Sequence, residues 1–167
     1  TVPLNGTQQF NASAADQFVG PMAAQQAIAW TVAGGGTISE SGLFTAGQTV
    51  GGPFVVTAST NGVSGTAQVT VVDSAPTVAT AASANPNPVA GTTNVLSVLG
   101  ADDSGESNLR YTWATSGTPP ASVTFSANGT NAAKTVTATF SKSGSYSFEV
   151  TIADGANQTV TSAVAVT

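Results

Sequence analysis

The feature that most constrains this chain is a side-chain alternation of period two, which comes in short runs and recurs from end to end. In AIAWTVA, Ile28, Trp30 and Val32 fall on one side, and in GTAQVTVV, Ala67, Val69 and Val71 oppose Thr66, Gln68 and Thr70. LRYTWAT groups Leu109, Tyr111 and Trp113, and SYSFEVTIA sets Tyr146, Phe148, Val150 and Ile152 against Ser147, Glu149 and Thr151. Successive side chains of a strand point to opposite faces, so each run reads as a β-strand with one wet face. No stretch holds a helical period over three turns. Turn formers separate the runs: Asn61-Gly62, Asn128-Gly129, Gly34 to Gly36, Ser143 to Ser145 and DGAN from Asp154. Short strands at this spacing predict an all-β sandwich or barrel.

The order of these features repeats once. A Trp-bearing strand (Trp30, Trp113) leads to an aromatic-led strand (PFVVTAS, SYSFEVTIA) and then to a closing Thr/Val strand (GTAQVTVV, VTSAVAVT). Between the copies lies VDSAP, where Pro76 cannot donate to a ladder. The sequence therefore predicts two domains, 1–73 and 76–167, with the boundary at Asp73 to Pro76.

Composition narrows the functions open to such a chain. Only 7% of residues are charged and the net charge is -5, with cations limited to Arg110, Lys134 and Lys142. That removes the positive footprint needed for phosphate backbones or anionic membrane surfaces, so neither nucleic acid nor membrane is an expected partner. No apolar run approaches the roughly 18 residues that cross a bilayer, and no charged region precedes an apolar core at the start. Any export signal is expected outside this stretch. Surfaces coated with Thr and Ser hydroxyls, at low charge, point to a secreted or bacterial cell-surface setting.

Catalysis is tested by subtraction. The chain has no His and no Cys, so it offers no imidazole base and no thiolate, and Lys is too scarce for an obvious nucleophile. Asp102 or Asp103 with Asp154 could form the carboxylate pair of a glycosidase, but small sandwiches lack the concave pocket that such chemistry uses. The expectation is a protein that is not an enzyme. Gly34 to Gly36 has no following Lys or helix start and reads as a strand-ending turn rather than a phosphate cradle. Sequons occur at Asn5, Asn11, Asn128 and Asn157, as expected by chance in a chain so rich in Ser and Thr. An isopeptide cross-link would need a buried Lys beside a carboxyl group; Lys142 sits in a turn, and both lysines read as solvated.

Two family resemblances follow from particular runs. GTQQFNAS, AWTVAGGGTIS, GLFTAG, FVVTAS and GTAQVTV, within residues 5–72, resemble the group 2 bacterial immunoglobulin-like domains. Those domains begin with a strand that is here shortened to TVPL, so the first domain is expected to be short of its first strand. LSVLGADDSGESNLRYTWAT and GSYSFEVTIADGANQTVTSAVAV, within 76–167, resemble PKD-like and cadherin-like modules, although ATSG replaces their acidic DFGDG run after Trp113. The resemblances imply two tandem immunoglobulin-like β-sandwiches. They also imply an inward Trp (Trp30, Trp113) and a Tyr that bonds back across a corner. Tyr146 matches the latter, whereas the first domain offers Phe54, which has no hydroxyl.

In that topology ADDSGESN joins strands B and C and ADGANQ joins F and G, at one end of the sandwich. Asp102, Asp103, Glu106 and Asp154 would converge there with Asp73 of the linker. Such a cluster repels itself unless a cation neutralises it, and calcium, with six to eight oxygen ligands, suits it. The bland reading is that these are turn formers in water. The implied function is a non-catalytic spacer in a larger bacterial extracellular protein, with other domains of the same chain as its partners. The alternative is a module for carbohydrate binding or cell adhesion. Sugar sites present exposed aromatic faces, and Phe18 and Phe44 are the aromatics left without an inward strand position.

Overall fold

The computed structural model describes residues 1–15 and 26–167. The chain divides into two compact units, Thr1–Asp73 and Ser74–Thr167.

The first unit contains β1 (Val2–Pro3), β2 (Thr7–Gln9), β3 (Ala29–Val32), β4 (Gly36–Ile38), β5 (Leu43–Ala46), β6 (Gly51–Thr60) and β7 (Val63–Val72). One sheet has the order β1-β7-β6-β3 and the other β2-β5-β4. Strand β1 runs parallel to the end of β7, Val2 pairing with Val71 and Pro3 with Val72. Asn61-Gly62 turns β6 into β7 with φ of 48° and 81°, the left-handed pair that a tight hairpin needs. Val2, Leu4, Phe44, Ala46, Val56, Val69 and Val71 form the buried core. Trp30 and Phe54 pack against it only half-buried. Phe54 covers the turn after β3, where a Cβ at Gly35 would collide with its ring. That contact accounts for Gly35, whereas a Cβ at Gly36 would collide with Thr45 O.

The second unit contains β8 (Thr77–Asn85), β9 (Thr93–Ala101), β10 (Arg110–Ser116), β11 (Val123–Phe125), β12 (Thr135–Phe140), β13 (Tyr146–Ala153) and β14 (Thr159–Val166). Its sheets are β11-β12-β9-β8 and β10-β13-β14. Alternation is strictest in β13, where Tyr146, Phe148, Val150 and Ile152 are buried, and they meet Leu96, Tyr111, Trp113 and Val136 in one core. Trp113 is 2% exposed and its indole N–H donates to Ala133 O at 2.8 Å. Tyr146 donates its hydroxyl to Lys142 O at 2.7 Å, the corner bond of immunoglobulin-like sandwiches. Phe54 of the first unit has no such group.

Strand β10 lies at a sheet edge, and a side chain stands in for the missing neighbour. Trp113 N–H donates to Asn128 Oδ1 at 2.7 Å, and Asn128 Nδ2 donates back to Trp113 O at 2.8 Å. Tyr111 N–H to Thr130 O and Gly129 N–H to Tyr111 O extend the pairing. An edge whose amides are already satisfied does not recruit another chain.

Candidate functional site

The candidate site follows from strand parity. On β9, Leu96 and Val98 face inward with Gly100 next in the series, and Asp102 continues it two residues further. On β13, Val150 and Ile152 face inward and Asp154 is the next of that parity. The two series meet: a Cβ at Gly100 would lie 3.0 Å from Ile152 Cγ2. Asp102 and Asp154 each stand one inward step beyond this contact, at the end of the second unit where the β9–β10 and β13–β14 loops lie.

Asp154 is fully buried. Its Oδ1 accepts from Gln158 N–H at 2.8 Å, closing a tight loop in which Asp154 N–H donates to Gln158 O. Its Oδ2 is buried and has no hydrogen-bond partner among the described residues. Asp102 Oδ2 accepts from the backbone N–H and the hydroxyl of Ser104, while its Oδ1 is likewise buried without a partner. Asp103 Oδ2 accepts from Ser74 N–H at 3.2 Å. Asp73 is the last residue of the first unit, one peptide bond before that amide. Buried carboxylate oxygens without donors are costly, and a cation is one group that satisfies them.

Glu106, grouped with these acids from the sequence, turns away from them. It opens a short 3-10 turn (Glu106–Asn108) after Gly105, whose φ of 100° redirects the chain. Lys134 Nζ lies 3.0 Å from Glu106 Oε2 and 3.2 Å from Oε1. Tyr111 donates its hydroxyl to Oε1 at 2.9 Å and itself accepts from Gly100 N–H at 3.0 Å. Asn131 Nδ2 donates to the same carboxylate oxygen at 3.1 Å. The Lys134 hydrogen bond pulls the Glu106 carboxyl below its usual range against the opposing effect of burial. Burial pushes the Tyr111 phenol up. Glu106 is therefore spoken for by Lys134, and the metal-ligand role expected for it gives way to a structural one. Lys134 is correspondingly not a freely solvated lysine. It also donates to Asn131 Oδ1 at 3.2 Å, and its contacts are those of an ion pair.

Other expected surface groups are differently placed. Phe44, expected to be exposed, is 0% exposed, because Leu43–Ala46 is a strand that turns Leu43 and Thr45 outward. Phe18 lies outside the described residues. At the other end of the second unit a cleft of about 300 Å³ is lined by Val89, Phe140, Lys142 and Tyr146 among others. Both of its rings are buried and leave no flat aromatic face for a sugar. Of the sequon asparagines, Asn128 has its amide committed to β10, and Asn157 Oδ1 accepts from Arg110 at 2.9 Å.

A chain of two all-β sandwiches, the second with a sealed Trp, a corner Tyr and inward carboxylates at one loop end, is an immunoglobulin-like sandwich protein. Residues 82–167 match the family described as K319L-like, PKD domain, and the chain belongs to that family. No curated protein sequence matches the chain. Among solved structures it is similar to domains 4 and 5 of the S-layer protein SbsC (19% identity, TM-score 0.40, covering 99% of this chain and 91% of that one). It is also similar to the D00-D0 domain of intimin (15% identity, TM-score 0.39, 99% and 94%). A third is the Yersinia pseudotuberculosis adhesin InvE (19% identity, TM-score 0.37, 99% and 56%). No helix among the described residues is long and apolar enough to cross a membrane.

Proposed function

We propose that this chain is a non-catalytic spacer segment of a larger bacterial extracellular or cell-surface protein, holding a catalytic or adhesive domain of the same polypeptide in place. The observation that carries this reading is how the second unit spends its chemistry. Its aromatic rings fill the core, its one Lys–Glu pair ties loops together, and its outward strand faces carry Thr, Ser and Ala. The first unit, on this reading, is a group 2 bacterial immunoglobulin-like domain with a short first strand. A pull-down on insoluble polysaccharides together with a glycan array tests the proposal. A spacer retains no polymer, and retention of even one would favour the carbohydrate-binding alternative.

A cation is the second reading, favoured by the unpartnered oxygens of Asp102 and Asp154. Asp102, Asp103 and Asp154 are the residues that would hold Ca²⁺, which accepts irregular carboxylate geometry where Mg²⁺ demands an octahedron. Its contribution would be structural, neutralising the acids and fixing the two loops. Thermal melting in EGTA and in excess Ca²⁺ decides it. A ligand at a hundred times its Kd stabilises by about 2.7 kcal/mol, and an unchanged midpoint would refute the proposal.

A further inference from the structure

Asparagine is followed by glycine at Asn5, Asn61 and Asn128, and all three asparagines are exposed. Such a pair is open to attack on its own side chain, because the backbone nitrogen of a residue without a Cβ approaches the side-chain carbonyl carbon with little hindrance. The residue after the glycine is Thr, Val and Thr in turn, each β-branched. Neither exposure nor local sequence therefore separates the three.

Hydrogen bonding does. Both ends of the Asn128 side-chain amide are held by the Trp113 backbone, and the attacking atom is held as well, Gly129 N–H donating to Tyr111 O at 2.8 Å. After Asn5, Gly6 N–H donates to Pro3 O at 3.0 Å, and a Cβ at Gly6 would lie 2.8 Å from Pro3 Cγ, so that turn is closely packed. Gly62 N–H, by contrast, has no hydrogen-bond partner among the described residues, and a Cβ there meets nothing within 4 Å. Asn61 Nδ2 donates to Gln26 Oε1 at 3.5 Å, beyond the range of a strong bond. Asn61 and Gly62 form the whole tip of the hairpin, since β6 ends at Thr60 and β7 begins at Val63.

We propose that Asn61 is a site of spontaneous covalent modification, deamidation through a cyclic imide, from which the fold shields Asn5 and Asn128. The Gly62 nitrogen gives its proton to water and bonds to Asn61 Cγ; the Cγ–Nδ2 bond breaks, and the side-chain nitrogen leaves as ammonia. Water then opens the imide at either carbonyl. One opening gives aspartate, which tolerates the left-handed turn as asparagine does. The other gives isoaspartate, whose main chain carries an extra methylene that pushes Thr60 and Val63 out of their facing register. Either product puts a negative charge on a hairpin, Gly51–Val72, that otherwise carries none. Reaching the imide means rotating the Asn-Gly peptide out of its turn. At Asn61 that rotation breaks no bond at the attacking nitrogen, whereas at Asn128 it breaks the bond to Tyr111 O and releases the clamp on Trp113.

The test is to age the full chain in warm, mildly alkaline buffer, digest it, and follow the three Asn-Gly peptides by mass spectrometry. Isoaspartate is read separately by enzymatic methyl transfer from S-adenosylmethionine. The Asn61 peptide should convert at least tenfold faster than the other two and should accept methyl groups. In denaturing urea, where the shielding bonds are gone, the three rates should converge. A folded chain in which Asn61 converts no faster than Asn5 or Asn128 overturns the proposal. So does a difference that persists in urea, which would assign it to local sequence, and a mass gain at Asn61 without methyl acceptance would remove the imide route.

Discussion

The two units solve the same folding problem to different degrees. Both pack two sheets around a Trp-bearing strand, yet Trp113 is sealed while Trp30 is half-buried. The difference lies at the edges. In the second unit β8 runs beside β14, and Asn128 closes β10; among the described residues of the first, β1 pairs with Val71 and Val72 of β7. The lesson is that a strand pattern sets which residues can face inward, whereas the completeness of the neighbouring strands sets how far they are removed from water.

The largest expected effect tests that contrast directly. Trp113→Ala should destabilise the second unit by about 3–5 kcal/mol, because it opens a cavity and orphans Ala133 O. Trp30→Ala should cost the first unit less than half as much. Urea unfolding of each variant, with the two units resolved by NMR amide signals, measures both, and equal losses would break the comparison. Next, Asn128→Ala should cost about 1–3 kcal/mol, since Trp113 N–H and C=O lose their partners at a part-buried edge. The same variant should show raised amide exchange at Trp113; unchanged exchange would mean the clamp is dispensable. Tyr146→Phe should lose about 0.5–1.5 kcal/mol, the net worth of one hydrogen bond. Phe54→Tyr should gain nothing comparable if the first unit lacks the corner acceptor.

The smallest effect is a pH dependence confined to the second unit. Glu106 has a folded pKa below its ordinary value of 4.5. Its contribution is thus present above that value and is lost as pH falls through the depressed folded one. Tyr111 is shifted upward from 10.0, so its contribution holds below that value and is lost as pH rises through the raised folded one. The Glu106–Lys134 pair is about a third exposed, and solvent screening keeps the acid limb shallow. Melting between pH 2 and 7 should show a second-unit slope that Glu106→Gln flattens; an identical slope in the variant would remove Glu106 from the account.

Particular residues show why some of this was legible and some was not. Asp102 and Asp154 extend inward series that alternation alone reveals, so their facing positions could be anticipated. Glu106 stood in the same loop, but its direction depends on the backbone turn at Gly105 and on Lys134, which is 28 positions away. Phe44 was misjudged because LFTA is too short, between two glycines, to display a period. Asn128 looked like any Asn-Gly turn; nothing local announces that its amide pairs with a strand 15 residues earlier.

The amino-acid sequence by itself determined the all-β class, the repeat of two Trp-bearing sandwiches and the inward face of each long strand, because these follow from a period of two along one chain. Only the tertiary structure decided which edges are covered, which acid is paired and which carboxylate oxygens are left without donors. Those outcomes depend on contacts between residues far apart in the chain, and no local pattern encodes the distance between them.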